Sequence, residues 1–149
     1  MRAVITRVSW ARVRVDGEVV GEIDGGVCAL IGVGKEDTER EALWLADKIV
    51  GARFFRDAEG KMNRSLRDGH GALLAVSQFT LYGDLRRGHR PSFGAAMDPE
   101  PARALFDRCI AHARAHGIRV QTGRFGASME VESLNDGPVT LLLDSSKAF

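Results

Sequence analysis

One proline near the carboxyl end constrains the fold of this chain more than any other residue. Residues 135–140 read NDGPVT and precede the apolar run LLLD, which predicts a buried β-strand. A proline cannot donate to a strand ladder, so within a sheet it belongs at an edge, at a first position or at a bulge. Gly137-Pro138 therefore predicts an irregular point at the mouth of the last strand, between the hydrogen-bonding side chains of Asn135 and Thr140.

Hairpin patterns and isolated helical patterns interleave along the rest of the chain. Asp16-Gly17 separates two runs of β type, which is typical of a hairpin turn. Apolar runs at 27–34 and 72–76 predict central strands, and helical spacing within 37–55 and 98–117 predicts two helices. Because strict β-α-β alternation is absent, the pattern predicts an α/β protein of the α+β type, a mixed or antiparallel sheet with two helices packed on it.

Size, charge and cysteine content narrow the class of protein. A chain of 149 residues suits one domain with a substantial core, and a net charge of +1 gives no general attraction for nucleic acid. Without a long apolar run or a signal-peptide pattern, the sequence predicts a cytoplasmic protein with no membrane contact. Cys28 and Cys109 form no C-x-x-C pair and are expected to be buried, reduced thiols.

The familiar catalytic and metal-binding motifs are missing. The sequence has no glycine-rich phosphate-binding signature and no G-x-S-x-G nucleophile elbow. His112 and His116 share a helix face, but no glutamate follows the first of them as in H-E-x-x-H. We therefore expect a solvated helix face there, with neither a metal site nor a cofactor.

Two stretches keep both a structural and a functional interpretation. In SQFTLYGD at 77–84, polar residues follow directly on an apolar strand. Their side chains either bond to backbone and solvent or form part of a functional site. LRRGHRPSF at 85–93 is the densest basic stretch of the chain. It predicts either a solvated loop or a contact with the phosphates of a nucleic acid.

Together, SQFTL at 77–81 and NDGPVT at 135–140 resemble the paired signature of the D-aminoacyl-tRNA deacylases. The likeness extends to MRAVITRVSWARVRVDGEVVGEI at the amino terminus, EGKMNRSL at 59–66, RRGHRPSF at 86–93 and TGRFGASMEVESLNDGPVTLLLDS at 122–145. It covers nearly the whole chain with both motifs in order. On this resemblance the chain is identified as a member of that family.

The resemblance implies a single domain over residues 1–149, with a β-barrel-like sheet and two main helices outside it. It also implies a homodimer that needs no cofactor and frees tRNA by hydrolysing the ester between a D-amino acid and the 3′ acceptor end. Gly137-Pro138 corresponds to the family's Gly-cisPro element, which one subunit inserts into the pocket of the other. Its backbone carbonyls, beside Asn135, would hold the substrate's α-ammonium group and reject L-amino acids, whereas glycyl-tRNA would be hydrolysed too.

Further roles follow from the same resemblance. Ser77 and Thr140 belong to the catalytic motifs but lack a visible base, so the ribose 2′-OH of the tRNA would help to activate water. The other expected site residues are Phe79 and Thr80 (backbone N–H groups for the oxyanion), Gln78 (the terminal ribose), Met129 (the adenine) and Arg86, Arg87 and Arg90 (phosphates near the acceptor end). DNA is not an expected partner.

Two alternatives stay open on the sequence. A related group of deacylases clears L-alanine from mischarged tRNA with a trans Gly-Pro, but its first motif resembles Pro-Gln. Ser77-Gln78 in this chain favours the D-specific activity. The second alternative is a module that binds the tRNA 3′ end without turnover, which the scarcity of activated nucleophiles would allow.

Overall fold

The computed structural model describes all 149 residues as eight strands and two main helices. The strands are β1 (Arg2–Val15), β2 (Glu18–Ile23), β3 (Gly26–Gly32), β4 (Phe55–Arg56), β5 (Met62–Arg64), β6 (Ala72–Ser77), β7 (Val120–Thr122) and β8 (Glu130–Asp144). The helices are α1 (Glu39–Gly51) and α2 (Pro99–Ala115), with short 3-10 helices at Leu66–Asp68 and Phe79–Tyr82. No helix combines the length and the apolar character that a membrane crossing requires.

The main sheet is mixed and nearly closed. Its hydrogen-bonded neighbours follow the order β2-β1-β3-β6-β7, and β8 pairs with β1 outside this order. The β1 pairings are antiparallel, whereas β3-β6 and β6-β7 are parallel. The two ends approach each other closely, since a Cβ on Gly21 of β2 would lie 2.4 Å from the Thr122 carbonyl oxygen of β7. The predicted barrel-like sheet with two helices is confirmed.

Alternation along β3 and β6 divides the core into two layers. A cluster of 23 buried residues packs between the sheet and both helices, and a second cluster of 8 occupies the opposite face of the sheet. Cys28 and Cys109 are buried free thiols, as expected, and burial raises the pKa of the Cys28 thiol to about 11. Both helices thus lie on one side of the sheet, and most residues of β8 stay exposed.

The parallel pairing of β3 with β6 requires a close backbone approach at its start. Gly26 pairs with Ala72 and has φ +146°, and a Cβ there would lie 2.0 Å from the Ala72 carbonyl oxygen. Only glycine accommodates both the angle and the contact. This start sets the register that brings Ile31 opposite Ser77 at the far end of the two strands.

The last strand differs from the sequence-based expectation in two ways. Gly137-Pro138 was expected at the mouth of the last strand, but it lies within one longer strand, β8, whose pairing with β1 is irregular between Thr6 and Trp10. The run LLLD was expected to be buried, and this is wrong within one chain, since Leu141 and Leu142 are 42% and 59% exposed. The reason is physical: an apolar segment is expected to be buried, but its composition does not identify the surface that covers it.

Candidate functional site

A cavity of about 520 Å³ opens where β3 and β6 end. The 3-10 helix Phe79–Tyr82, the start of α2 and the loop before β8 complete its wall. Its lining residues are Ile31, Val33, Ser77, Gln78, Phe79, Thr80, Phe93, Ala96, Met97, Asp98, Pro99, Ala102, Phe125, Gly126, Ala127 and Met129. Five of the residues predicted from the sequence, 77–80 and Met129, therefore meet at one place.

The polar wall of the cavity forms because the chain leaves the sheet at Ser77. The Gln78 N–H donates to the Ile31 carbonyl at 2.7 Å, and the 3-10 helix begins at the next residue. The first N–H groups of such a helix, here those of Phe79 and Thr80, have no acceptor within the helix. Two backbone donors thus lie side by side in the cavity wall, an arrangement suited to an oxygen that carries negative charge.

Side-chain chemistry in the cavity is sparse. Asp98 is the one ionisable residue of the lining, and no histidine or lysine lies beside the Ser77 or Thr80 hydroxyl. The Gln78 amide nitrogen donates to Thr80 Oγ1 at 3.0 Å, which leaves the amide oxygen of Gln78 free to accept. The cavity can therefore orient a polar substrate, but no histidine, lysine or carboxylate is hydrogen-bonded to either hydroxyl, as a base that activates a nucleophile would be.

Apolar side chains dominate the other walls. Phe79 is 58% exposed and meets Phe93 edge to face, with ring centroids 5.1 Å apart. Met129 lies over Gly123, where a Cβ would be 2.5 Å from the methionine sulfur. Aromatic and thioether groups around an open cavity suit a planar ring such as a nucleobase.

The second motif lies outside this cavity. The Asn135 amide donates to Thr140 Oγ1 at 3.0 Å and accepts from the Val139 N–H at 3.0 Å, so it closes the turn on itself. The Gly137-Pro138 peptide bond is cis, and both residues are exposed. Within one chain, the structure does not bring residues 135–140 to the residues 77–80.

Arg7 anchors this turn, and the sequence analysis missed it. Its side chain is buried, with 3% of the residue exposed, and Nη1 donates to the Phe54 carbonyl at 2.7 Å. Nε donates to the Asp136 carbonyl at 3.1 Å, and the Asp136 carboxylate lies 3.2 Å away. Arg7 follows Ala3 and Ile5 on the inward side of β1. A charged residue at an inward position of a strand is the feature of the sequence that could have predicted its structural role.

The basic stretch forms an exposed loop beside the cavity. Asp84 and Ser92 bridge its base, and Phe93 continues directly into the cavity wall. Arg86 forms an ion pair with Asp84 at 2.6 Å, and this guanidinium lowers the pKa of the Asp84 carboxyl to about 2. Arg87 and Arg90 are exposed and form no ion pair, so they carry the unbalanced positive charge of the loop.

Comparisons with known proteins agree with the resemblance over the full length. The family model described as D-Tyr-tRNA(Tyr) deacylase matches residues 4–144. Proteins named D-aminoacyl-tRNA deacylase from Symbiobacterium thermophilum and Desulfitobacterium hafniense are 58% and 56% identical over 149 residues, covering 100% of this chain and 99% and 100% of theirs.

Two solved structures share the fold. One, named c-Myc DNA Unwinding Element Binding Protein, superimposes with a TM-score of 0.91 at 39% identity, covering 97% of this chain and 99% of that chain. The other, described as a probable eukaryotic D-amino acid tRNA deacylase, has a TM-score of 0.81 at 18% identity, covering 95% and 97%. At that identity the second likeness concerns the fold alone.

Replacing Arg7 should loosen the turn at 135–140. We expect Arg7→Gln to cost about 3 kcal/mol of unfolding free energy, because charge-assisted bonds to two backbone carbonyls are lost. Urea unfolding measures this cost. Amide exchange of Val139, whose N–H bonds to Asn135, should accelerate in the same variant.

Arg14→Gln is the matched control on the same strand. Arg14 is half-buried and pairs with Glu132 at 3.4 Å, so its replacement should cost less than about 1 kcal/mol. If both variants lose the same stability and Val139 exchanges no faster, Arg7 does not anchor the turn.

Proposed function

Because the chain belongs to the D-Tyr-tRNA(Tyr) deacylase family, we propose that it hydrolyses the ester bond of D-aminoacyl-tRNA and so releases free tRNA and the D-amino acid. The observation that carries this proposal is the cavity whose polar wall is the segment Ser77–Thr80, the first of the two motifs. Aminoacyl-tRNA is a cytoplasmic substrate, so the cytoplasm is the proposed place of action, which cell fractionation tests.

The cavity is proposed to bind the terminal adenosine of the acceptor end. Phe79, Phe93 and Met129 offer apolar surface to the adenine, and the free Gln78 amide oxygen accepts from a ribose hydroxyl. A cavity of this kind takes a single unstacked nucleotide, as found at a single-stranded 3′ end, more readily than a paired base. We therefore propose tRNA as the partner of this chain, although one relative is named for binding a DNA unwinding element.

A homodimer completes the site in this proposal. Gly137-Pro138 lies outside the cavity of its own chain, on a strand that pairs with β1 alone and leaves its other edge free. Val131, Leu134, Leu141 and Leu142 are exposed large apolar residues of that same strand. A long edge strand with exposed leucines is a ready site for self-association. A second copy would cover these residues and bring its Gly137-Pro138 to the cavity.

Chiral selection follows from two fixed substituents of the substrate α-carbon. The Gly137 and Pro138 carbonyls would accept from the ammonium group, and the ester carbonyl would lie near the Phe79 N–H. Hydrogen and side chain then occupy the two remaining positions, and inversion exchanges them. An L-side chain would collide with the motif backbone, and each 1.4 kcal/mol of that collision gives tenfold discrimination.

Catalysis is proposed to use the substrate's own ribose. No base lies beside the Ser77 hydroxyl, so the 2′-OH of the terminal ribose would help to activate water. The Phe79 and Thr80 N–H groups would stabilise the developing oxyanion, a role in which one donor typically contributes a factor of about 10² to 10³.

The test of the activity compares single-turnover rates on D-aminoacyl-, L-aminoacyl- and glycyl-tRNA. We expect the D-substrate and glycyl-tRNA to be hydrolysed and the L-substrate refused, because glycine has no side chain to collide. Preference for L-alanyl-tRNA would identify the chain as the related deacylase. Binding of tRNA without turnover would identify it as a module that binds the tRNA 3′ end. Refusal of glycine as firm as that of the L-substrate would overturn the steric account.

Mixed dimers test the sharing of the site between subunits. Pro138→Ala leaves the cavity intact, and Gln78→Ala leaves the turn intact, so each homodimer should be impaired at both sites. A heterodimer isolated with two different tags should regain one intact site, formed by the cavity of the first chain and the turn of the second. If the turn serves its own chain, the heterodimer has no intact site and stays impaired.

Removal of the two hydroxyls tests for a protein nucleophile. We expect Ser77→Ala and Thr140→Ala to retain most of the single-turnover rate, because no base activates either hydroxyl. A tRNA ending in 2′-deoxyadenosine should react far more slowly with the unaltered protein. A covalent acyl intermediate trapped on Ser77 or Thr140 would refute this scheme.

The loop beside the cavity is proposed to contact phosphates through Arg87 and Arg90. Replacing both by alanine should weaken binding of every charged tRNA and reduce the slope of log affinity against log salt by about 2. Arg86→Ala should have a smaller effect, because Asp84 already balances that charge. A DNA duplex serves as the competitor control. If the double variant has the same salt slope as the unaltered chain, the loop is solvated and does not contact phosphates.

A further inference from the structure

Three side chains converge on the outer surface where α1 and α2 pack together. Asp47 Oδ1 of α1 lies 3.1 Å from Nε2 of His112 on α2 and 2.9 Å from Nε2 of His116, the residue that caps the end of α2. The helical repeat places the two histidines one turn apart on the same face. This group, which we call the helix-bridging cluster, lies about 20 Å along α2 from the helix start that lines the cavity.

The sequence pattern predicts a solvated helix face at this point, because no acidic residue follows His112 directly in the same helix. The acidic partner comes instead from α1, more than sixty residues earlier in the chain. Only the packing of the two helices brings the carboxylate to the imidazoles.

We propose that Asp47, His112 and His116 bind one divalent transition-metal ion, with zinc as the ion that this ligand set suits best. Two imidazole nitrogens and one carboxylate oxygen are common zinc ligands, and a water molecule would take the fourth position. All three ligand atoms lie within 4.8 Å of one another. Tetrahedral zinc with bonds of about 2.1 Å holds its ligand atoms about 3.4 Å apart, so small side-chain rotations suffice.

The ligands are supported by rigid elements. α1 and α2 contribute Ala42, Ala46 and Cys109 to the main core, which fixes their separation close to the cluster. The imidazole rings are 5.0 Å apart and nearly perpendicular, at 84°, and both already direct Nε2 to the same carboxylate oxygen. The ion would therefore meet a nearly formed site and would link the two helices.

Arg67 competes with the ion for this site. Its Nη2 lies 3.0 Å from Asp47 Oδ1 and 3.3 Å from His116 Nε2, where its cation stabilises the carboxylate. Binding of the metal requires this exposed side chain to turn away into solvent. The arrangement predicts opposite effects of two neighbouring substitutions, since loss of Asp47 removes a ligand whereas loss of Arg67 removes a competitor.

The experiment titrates Zn²⁺ into chelator-treated, full-length protein by calorimetry and follows the thermal midpoint of each variant with and without the ion. We expect one zinc per chain and a midpoint that rises with zinc concentration, because binding to the folded state stabilises it. His112→Ala, His116→Ala and Asp47→Asn should each weaken zinc at least tenfold, whereas Arg67→Gln should tighten it. Comparing each variant with its own metal-free midpoint separates lost binding from lost stability.

His70→Ala is the control, because His70 is a half-buried histidine that stacks on Phe55 and does not belong to the cluster. It should leave the zinc affinity unchanged. If Asp47→Asn binds zinc as tightly as the unaltered chain, the histidine pair chelates alone and the three-ligand site is refuted. Absence of a zinc-dependent midpoint in the unaltered chain, or equal affinity in His116→Ala, would refute it as well.

Discussion

The antiparallel pairing of β1 with β8 is the interaction on which the rest of the structure depends. β1 is hydrogen-bonded to β2, β3 and β8, so the sheet cannot assemble without it. Its inward residues supply parts of both core clusters. Its one buried charge, Arg7, faces the point where β8 departs from regular pairing and holds the turn that follows. The same strand thus organises the hydrophobic core and the second sequence motif.

The cavity depends on a different feature, the parallel pairing of β3 with β6. Parallel strands end at the same edge of a sheet, and the crossover that leads from β6 through α2 to the parallel strand β7 begins here with a 3-10 helix. That turn leaves backbone N–H groups beside an apolar wall, so the polar chemistry of the site is mostly main-chain chemistry. Such a site tolerates change in its side chains more readily than change in its backbone path.

Local patterns in the sequence predicted the elements that depend on neighbours in the chain. The Asp16-Gly17 hairpin, both helices and the end of β6 at Ser77 were visible because turn chemistry, capping and periodicity act over a few residues. The motif resemblance located the cavity residues 77–80. Exposure of Leu141 and Leu142, the anchoring of Asp136 by Arg7 and the meeting of Asp47 with the histidines depend on contacts between distant segments. No local pattern encodes those.

The irregularity in β8 has a consequence for how such proteins diverge. Thr6 pairs with Thr140 and Val8 pairs with Asn135, so residues 136–139 stand against Arg7 alone. Pairing resumes on both sides of this excursion, which means that its composition and length can vary without shifting either flank of the strand. The turn can therefore be exchanged without a change in the paired segments on either side of it. Related chains could carry a different turn there while the barrel and its core stay as they are.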